Sequence, residues 1–166
     1  MIKFENAMGA AAAAFALLIV TTPLAAQEER DAKAPAWKRH AQVKKSHRLI
    51  LQVNSNEPAM MNLALNNATN VAQYYKELGE KVSIEIVTYG PGLHMLRDDT
   101  SPVKARIETI ALSTPEIAFK ACGNTRDNMH KAENKDITLI PQAQLVKSGV
   151  VRVMELQERG WTYVKP

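Results

Sequence analysis

The residues best suited to chemistry lie in one stretch, from Glu116 to Thr125, which is apolar at first and ends in a polar turn. This pattern is typical of a buried strand that runs into a loop. Cys122, at the end of the apolar part, is the only cysteine among 166 residues, so it cannot form an internal disulfide. A thiol in this position is either a nucleophile, which requires the thiolate form, or a small apolar side chain that closes the strand.

Two histidines of the expected folded region, His94 and His130, are candidates for a Cys-His pair with Cys122. A solvated loop position is the simpler interpretation of each, because loops lie mostly on the surface. One cysteine and two histidines without short spacing do not match a zinc site, and the sequence lacks the Gly-x-Ser-x-Gly motif of serine hydrolases. Gly90-Pro91-Gly92 lacks the lysine of a phosphate-binding loop. The sequence therefore predicts no metal and no cofactor.

Strands and helices alternate along the part of the chain that must position Cys122. Continuous apolar or β-branched runs predict strands at residues 48–53, 82–89, 116–122, 143–146 and 161–164. Between them, apolar residues at steps of three and four predict helices, with Pro58 at the start of the first and Gly79 at its end. This alternation predicts an α/β fold, in which βαβ units form three layers around a mostly parallel sheet of about five strands.

The helix ends and faces can also be predicted. We expect the second helix to begin at Ser101-Pro102, the helix after Cys122 to be capped by Asn124 or Thr125, and the last helix to begin at Ser148-Gly149. On the last helix, the residues expected to face inward are Val150, Val151, Met154, Leu156 and Gln157.

Ligands of open α/β sheets bind beyond the carboxyl ends of the strands, where loops and helix N-termini meet. Three predicted loops end there, at residues 54–57, 90–97 and 122–125. Backbone N–H groups and the positive end of the helix after Cys122 would favour the thiolate over the thiol. The residues predicted to line a site around the catalytic candidate Cys122 are Asn54, Asn56, Gly90, Gly92, His94, Arg97, Gly123, Asn124 and Thr125.

The first 26 residues have the layout of an export signal. Lys3 precedes an apolar run of about 13 residues, and small residues follow a break at Pro23. The run is shorter than the roughly 20 residues that a membrane-spanning helix needs, so we expect cleavage near Ala26, with a retained N-terminal anchor as the alternative. Residues 27–47 are polar and basic and are expected to form a linker, which leaves residues 48–166 as one domain of an exported, periplasmic protein.

The net charge of +4 is confined to residues 27–48, the predicted linker and the residue that follows it. Residues 27–48 carry seven basic and three acidic side chains, whereas residues 49–166 carry thirteen of each. Aromatic residues make up only 5% of the chain, and no basic stripe is interleaved with them. The domain therefore lacks the electrostatic features of a nucleic-acid-binding protein, and we expect no membrane contact beyond the export signal.

Four features taken together resemble the DsrE/DsrF-like family, which includes the TusBCD sulfur-relay proteins and YchN-type proteins. They are the strand at 49–53 with its Asn-rich exit, the turn at 89–92, the Phe119–Thr125 stretch, and the chain end from Ser148-Gly149 through Gly160-Trp161 to Lys165-Pro166. The resemblance covers residues 48–166. It implies a small α/β domain that assembles into trimers or hexamers, with Cys122 at the position that carries sulfur as a persulfide.

Two functions from different classes follow from these observations. In the first, Cys122 takes a sulfane sulfur from a donor protein or small thiol, holds it as a persulfide and passes it to an acceptor, as a sulfurtransferase-like carrier. In the second, the chain is a non-enzymatic oligomeric module that binds a small ligand or a partner, and Cys122 is structural. Burial of the sulfur favours the second function, and an open sulfur in a polar pocket favours the first. Thiol-disulfide exchange is less well supported, because no Cys-x-x-Cys motif is present.

Overall fold

The structure is a computed structural model that describes residues 45–166. The predicted export signal and residues 27–44 of the predicted linker lie outside the described residues. The strands are β1 (Ser46–Val53), β2 (Lys81–Thr88), β3 (Ile117–Cys122), β4 (Ala143–Val146) and β5 (Thr162–Val164). The helices are α1 (Pro58–Glu77), α2 (Lys104–Ser113), α3 (Gly123–Glu133) and α4 (Gly149–Glu158), and a 3-10 helix spans Gly90–Leu96.

The five strands form one sheet in the order β4-β3-β2-β1-β5, and every neighbouring pair is parallel. Each β-to-β connection therefore crosses over through a helix or loop, as the alternating sequence pattern requires. The prediction of a three-layer α/β fold with about five strands is confirmed. Because the strands are parallel, their carboxyl ends lie at one edge of the sheet, and this edge carries Cys122.

The two faces of the sheet are covered to different extents. Alternate side chains of β1, β2 and β3, such as Leu51, Ile86 and Phe119, form the larger core with α1, α2 and the 3-10 helix. On the opposite face, Ile50 and Val87 pack with Val153 and Leu156 of the ten-residue α4. Strand side chains alternate between faces, so Cys122 shares the α4 face, two residues beyond Lys120.

Some element boundaries differ from those predicted. The first strand begins at Ser46, inside the predicted linker, and His47 stacks on Tyr75 with 3.7 Å between ring centroids. The second helix begins at Lys104, because Ser101 Oγ accepts a hydrogen bond from the Val103 N–H and holds the preceding residues in a turn.

The prediction for the inner face of α4 was wrong for four of its five residues, including Gln157, which is exposed. Val150, Val151 and Met154 are about half exposed, and the inner face is formed by Val153 and Leu156. The apolar residues of α4 are distributed around much of its circumference, so their spacing does not identify which side of the helix packs on the sheet. Within residues 45–166, no helix is both long and apolar enough to cross a membrane.

Candidate functional site

Cys122 ends β3 and is also the N-cap residue of α3. Its sulfur accepts a hydrogen bond from the Thr125 N–H at 3.4 Å, which places the side chain where an N-cap oxygen normally lies. The prediction that Asn124 or Thr125 caps this helix was wrong, because the helix begins immediately after the strand and leaves no intervening loop. The thiol therefore lies against the N-terminal turn of an 11-residue helix.

The sulfur of Cys122 is enclosed, since only 4% of the residue is exposed. Burial alone raises the pKa of the Cys122 thiol, because it disfavours the charged form. Hydrogen bonds from the Thr125 hydroxyl and from the N–H groups of Gly149, Thr125 and Asn124 outweigh burial, and the pKa of Cys122 lies below its ordinary value. The geometry thus combines a poorly exposed sulfur with stabilisation of its thiolate.

The Thr125 side chain connects two of the predicted site loops. Its hydroxyl oxygen accepts a hydrogen bond of 3.0 Å from the Gly90 N–H, and its hydroxyl group is a hydrogen-bond donor to Cys122. A hydroxyl has one hydrogen and two lone pairs, so accepting from Gly90 leaves that hydrogen to point to the sulfur. Gly90 has φ +53°, a conformation that L side chains rarely adopt.

The N-terminus of α4 completes the surroundings of the sulfur. A Cβ atom added to Gly149 would lie 2.9 Å from Tyr89 Cδ1 and 3.3 Å from Cys122 Cβ, so only glycine lets the start of α4 pack this closely against Cys122. The Tyr89 hydroxyl has a raised pKa because of burial and the nearby ionisable groups of Tyr163 and Cys122. Sequence reasoning missed Tyr89 and Gly149 as site residues. The available signals were that Tyr89 directly follows a strand and that Gly149 begins a helix.

Of the predicted site residues, Gly92 lies against the backbone of Val53 and Asn54 at the end of β1. A Cβ atom added to Gly92 would lie 2.6 Å from the Val53 carbonyl carbon and 2.9 Å from Asn54 Cα, so this glycine permits close contact with the end of β1. Asn54 and Asn56 are exposed. Among the described residues, neither asparagine side chain makes a hydrogen bond to the Cys122 loop, unlike Gly90 and Thr125.

His94, His130 and Arg97 are directed elsewhere. His94 Nδ1 is 2.8 Å from Thr100 Oγ1, and His130 Nδ1 is 2.9 Å from the Lys135 carbonyl oxygen. Hydrogen bonds described for residues 45–166 join neither ring to Cys122, so the structure provides no Cys-His pair there.

Arg97 forms a charged cluster on the face of the sheet opposite α4. The side chain is only 1% exposed, and its guanidinium donates to both carboxylate oxygens of Asp99, at 2.9 and 2.8 Å, and to the carboxylate of Glu133. The Arg97 guanidinium and Lys135 hold the pKa of both carboxyl groups well below the usual range, although partial burial opposes this shift. Its hydrogen bonds thus tie the loop after the 3-10 helix to the end of α3.

In the described part of the chain, no three histidine, cysteine, aspartate or glutamate side chains are grouped to hold a metal ion. The solved structures similar to this chain include a protein of unknown function, MTH1491, from Methanobacterium thermoautotrophicum. The two are 27% identical, the TM-score is 0.60, and the match covers 72% of this chain and 99% of the other. No family model matches the chain, and no curated protein matches it.

Proposed function

We propose that the chain is a sulfur-handling protein in which Cys122 carries a sulfane sulfur as a persulfide. The observation that supports this most directly is the Cys122 sulfur at the N-cap of α3, where the Thr125 N–H donates to it at 3.4 Å and hydrogen bonding with neighbouring groups lowers its pKa. These donors stabilise a thiolate, and the thiolate is the form that attacks sulfur. The resemblance of residues 48–166 to the DsrE/DsrF-like family agrees with this role.

The transfer step requires no oxidant. The Cys122 thiolate attacks the outer sulfur of a donor persulfide, R–S–SH, and forms a new S–S bond. The donor S–S bond breaks, and its electron pair leaves with the thiolate R–S⁻. Cys122 then carries –S–SH, and a second thiolate can remove the outer sulfur in the same way. The N–H groups that stabilise the Cys122 thiolate also stabilise it as the leaving group of that second step.

A second candidate function is a non-enzymatic oligomeric binding module with a structural cysteine. The enclosed sulfur of Cys122 favours this candidate, since a buried thiol is often an inert apolar side chain. The two candidates differ in the reactivity of the folded protein. A structural thiol reacts only after unfolding, and a Cys122→Ala variant then keeps its oligomeric state and ligand binding.

Intact-mass measurement after incubation with a sulfane-sulfur donor separates the two candidates. The proposed function predicts a gain of about 32 Da, one sulfur atom, on the wild-type chain and none on Cys122→Ser. Reduction should reverse the gain, because a persulfide is reducible. A wild-type chain that gains no mass, together with a thiol that alkylating reagents reach only in denaturant, would refute the carrier role.

Assembly into a homo-oligomer is part of the proposal. Val150, Val151 and Met154 form an apolar strip on the outer side of α4, with Met154 54% exposed. Exposed apolar strips of this kind are typical of interaction surfaces. Sedimentation velocity should give a trimer or hexamer for the wild-type chain and a smaller species for Met154→Glu; a wild-type monomer would refute this part.

Export to the periplasm is the last part of the proposal and rests on the pattern of residues 1–26. Mass measurement of the chain purified from a periplasmic fraction should match a start at Gln27. Retention of the full-length chain in the membrane fraction would favour an N-terminal anchor instead.

A further inference from the structure

A cleft of about 530 Å³ lies between the start of α4 and the end of β4. Three of its lining residues adjoin Cys122. Val146 is its partner in the β3-β4 register, Asn124 follows it by two residues at the start of α3, and Ser148 precedes Gly149, where an added Cβ would lie 3.3 Å from Cys122 Cβ. The cleft therefore lies beside the enclosed Cys122, which is not itself one of its lining residues.

The walls of this cleft differ in polarity. Val146 and Val151 provide apolar surface, whereas Lys147 and Arg152 provide positive charge. Lys147 is exposed and makes no ion pair with any residue from 45 to 166. Arg152 has a fixed position, because it donates to both carboxylate oxygens of Glu85 at 2.9 and 2.5 Å.

Carboxylates near the cleft only partly neutralise these cations. Glu155 lines it and lies 4.0 Å from Arg152 Nη1. Glu85, buried on β2, pairs with Arg152 and lies 3.9 Å from Lys120 Nζ, which also donates to the Gln144 side chain. Three cations thus face two carboxylates, and Lys147 is the cation that retains no carboxylate partner among the described residues.

We infer that this cleft binds the sulfur donor and that the donor is a small anion carrying sulfane sulfur. This inference rests on the proposed function, because it identifies the class of molecule that loads Cys122. Lys147 interacts with the negative charge of the donor, and the donor's sulfane sulfur points to Cys122. With thiosulfate as donor, the thiolate forms an S–S bond to the outer sulfur, the original S–S bond breaks, and sulfite leaves with the electron pair.

Binding is tested without transfer by titrating thiosulfate into the full-length Cys122→Ser protein and following heat release. In the Cys122→Ser protein, the further substitution Lys147→Gln should weaken thiosulfate binding about fivefold to tenfold, since one nearby charge contributes on the order of 1 kcal/mol. Lys131→Gln, a matched loss of charge on the exposed end of α3, should leave the dissociation constant within about twofold. Equal weakening by both variants would overturn the inference.

A second titration distinguishes inorganic from organic donors. Glutathione, an organic anion, replaces thiosulfate in the same Cys122→Ser protein. Tighter binding of glutathione assigns the site to organic persulfides that use the Val146 and Val151 surface, and tighter binding of thiosulfate assigns it to inorganic donors. Failure of both to bind would refute the site.

The third measurement is the rate at which sulfur is transferred to Cys122, in protein that retains this cysteine. Lys147→Gln should slow persulfide formation from thiosulfate about fivefold. It should leave unchanged the rate at which Cys122 attacks an uncharged organic trisulfide, R–S–S–S–R, to form Cys122–S–S–S–R and release R–S⁻. Equal slowing with both donors would contradict an anion-specific role. Anion binding without any loading would refute the carrier function while leaving the binding site in place, so the two failures are distinguishable.

Discussion

The Thr125 hydroxyl provides the sharpest test of how this chain stabilises a thiolate. Its oxygen accepts from the Gly90 N–H at 3.0 Å, and hydrogen bonding by its side chain lowers the pKa of Cys122. In Thr125→Val the shape of the side chain is kept and the hydroxyl is lost. The pKa of Cys122 should then rise toward its ordinary value of 9.0, because the thiolate loses a donor and the neutral thiol loses little.

The size of the effect follows from the strength of that one hydrogen bond. A hydrogen bond to a charged group contributes about 1.5–3 kcal/mol, and about 1.4 kcal/mol corresponds to a factor of ten. At a pH below the pKa of the thiol, the thiolate fraction of Thr125→Val should therefore be at least about tenfold smaller. The Gly90 N–H also loses its acceptor, so we expect the variant to unfold at a somewhat lower urea concentration.

Alkylation of the folded protein by iodoacetamide, followed as a function of pH, measures this directly. The profile of Thr125→Val should move to higher pH, and Thr125→Ser, which keeps the hydroxyl, should restore the wild-type position. Thr109→Val is a matched control, because its hydroxyl bonds the Ala105 carbonyl on α2, far along the chain from the thiol. A Thr125→Val profile that overlays the wild-type profile would show that the hydroxyl does not stabilise the thiolate.

Three further changes test the packing around the site. Hydrogen bonds from Arg97 lower the pKa of Glu133 to about 2, so its stabilising effect is complete above pH 4.5 and disappears as the pH falls to about 2. In Glu133→Gln, the free energy of unfolding should depend less on pH between these two values. An acid-unfolding curve identical to that of the wild type would contradict this. Gly92→Ala places a methyl group against the Val53 carbonyl and should lower the free energy of unfolding in urea by about 1–3 kcal/mol. An unchanged urea midpoint would mean that the backbone around residue 92 moves to make room for the methyl group. Gly149→Ala should move the N–H of α4 away from the sulfur and raise the pKa of Cys122, which the same alkylation profile detects; a wild-type profile would count against this donor.

Much of the fold is predictable because its signals are local. Continuous apolar runs mark the strands, and apolar residues spaced three and four apart mark the helices between them. The strand expected at 143–146 is β4, with the same bounds. The errors lie where local signals are ambiguous. Ser101-Pro102 resembles a helix start but forms a turn, and α4 carries apolar residues around much of its circumference, so Val151 and Met154 were expected inside.

The site could be predicted only in part. The order of the strands brings Gly90 and Thr125 together, as the convergence of strand ends suggested, and they share a hydrogen bond. His94 and Arg97 leave the same loop in other directions, to Thr100 and to the Asp99-Glu133 pair. The direction of a side chain on a short helix depends on its neighbours in space, which local spacing does not specify.

The sequence by itself determined that a lone thiol ends a buried parallel strand, at the edge of the sheet where α/β proteins bind ligands. Strand type and strand ends follow from periodicity and composition, which are properties of neighbouring residues. Only the tertiary structure decided that Cys122 caps α3, that Gly149 adds a donor from α4, and that the sulfur is enclosed beside a cleft with Lys147 at its rim. The capping contact depends on where the helix begins, whereas the contacts with Gly149 and the cleft join segments 20 or more residues apart and depend on how α4 packs across the sheet.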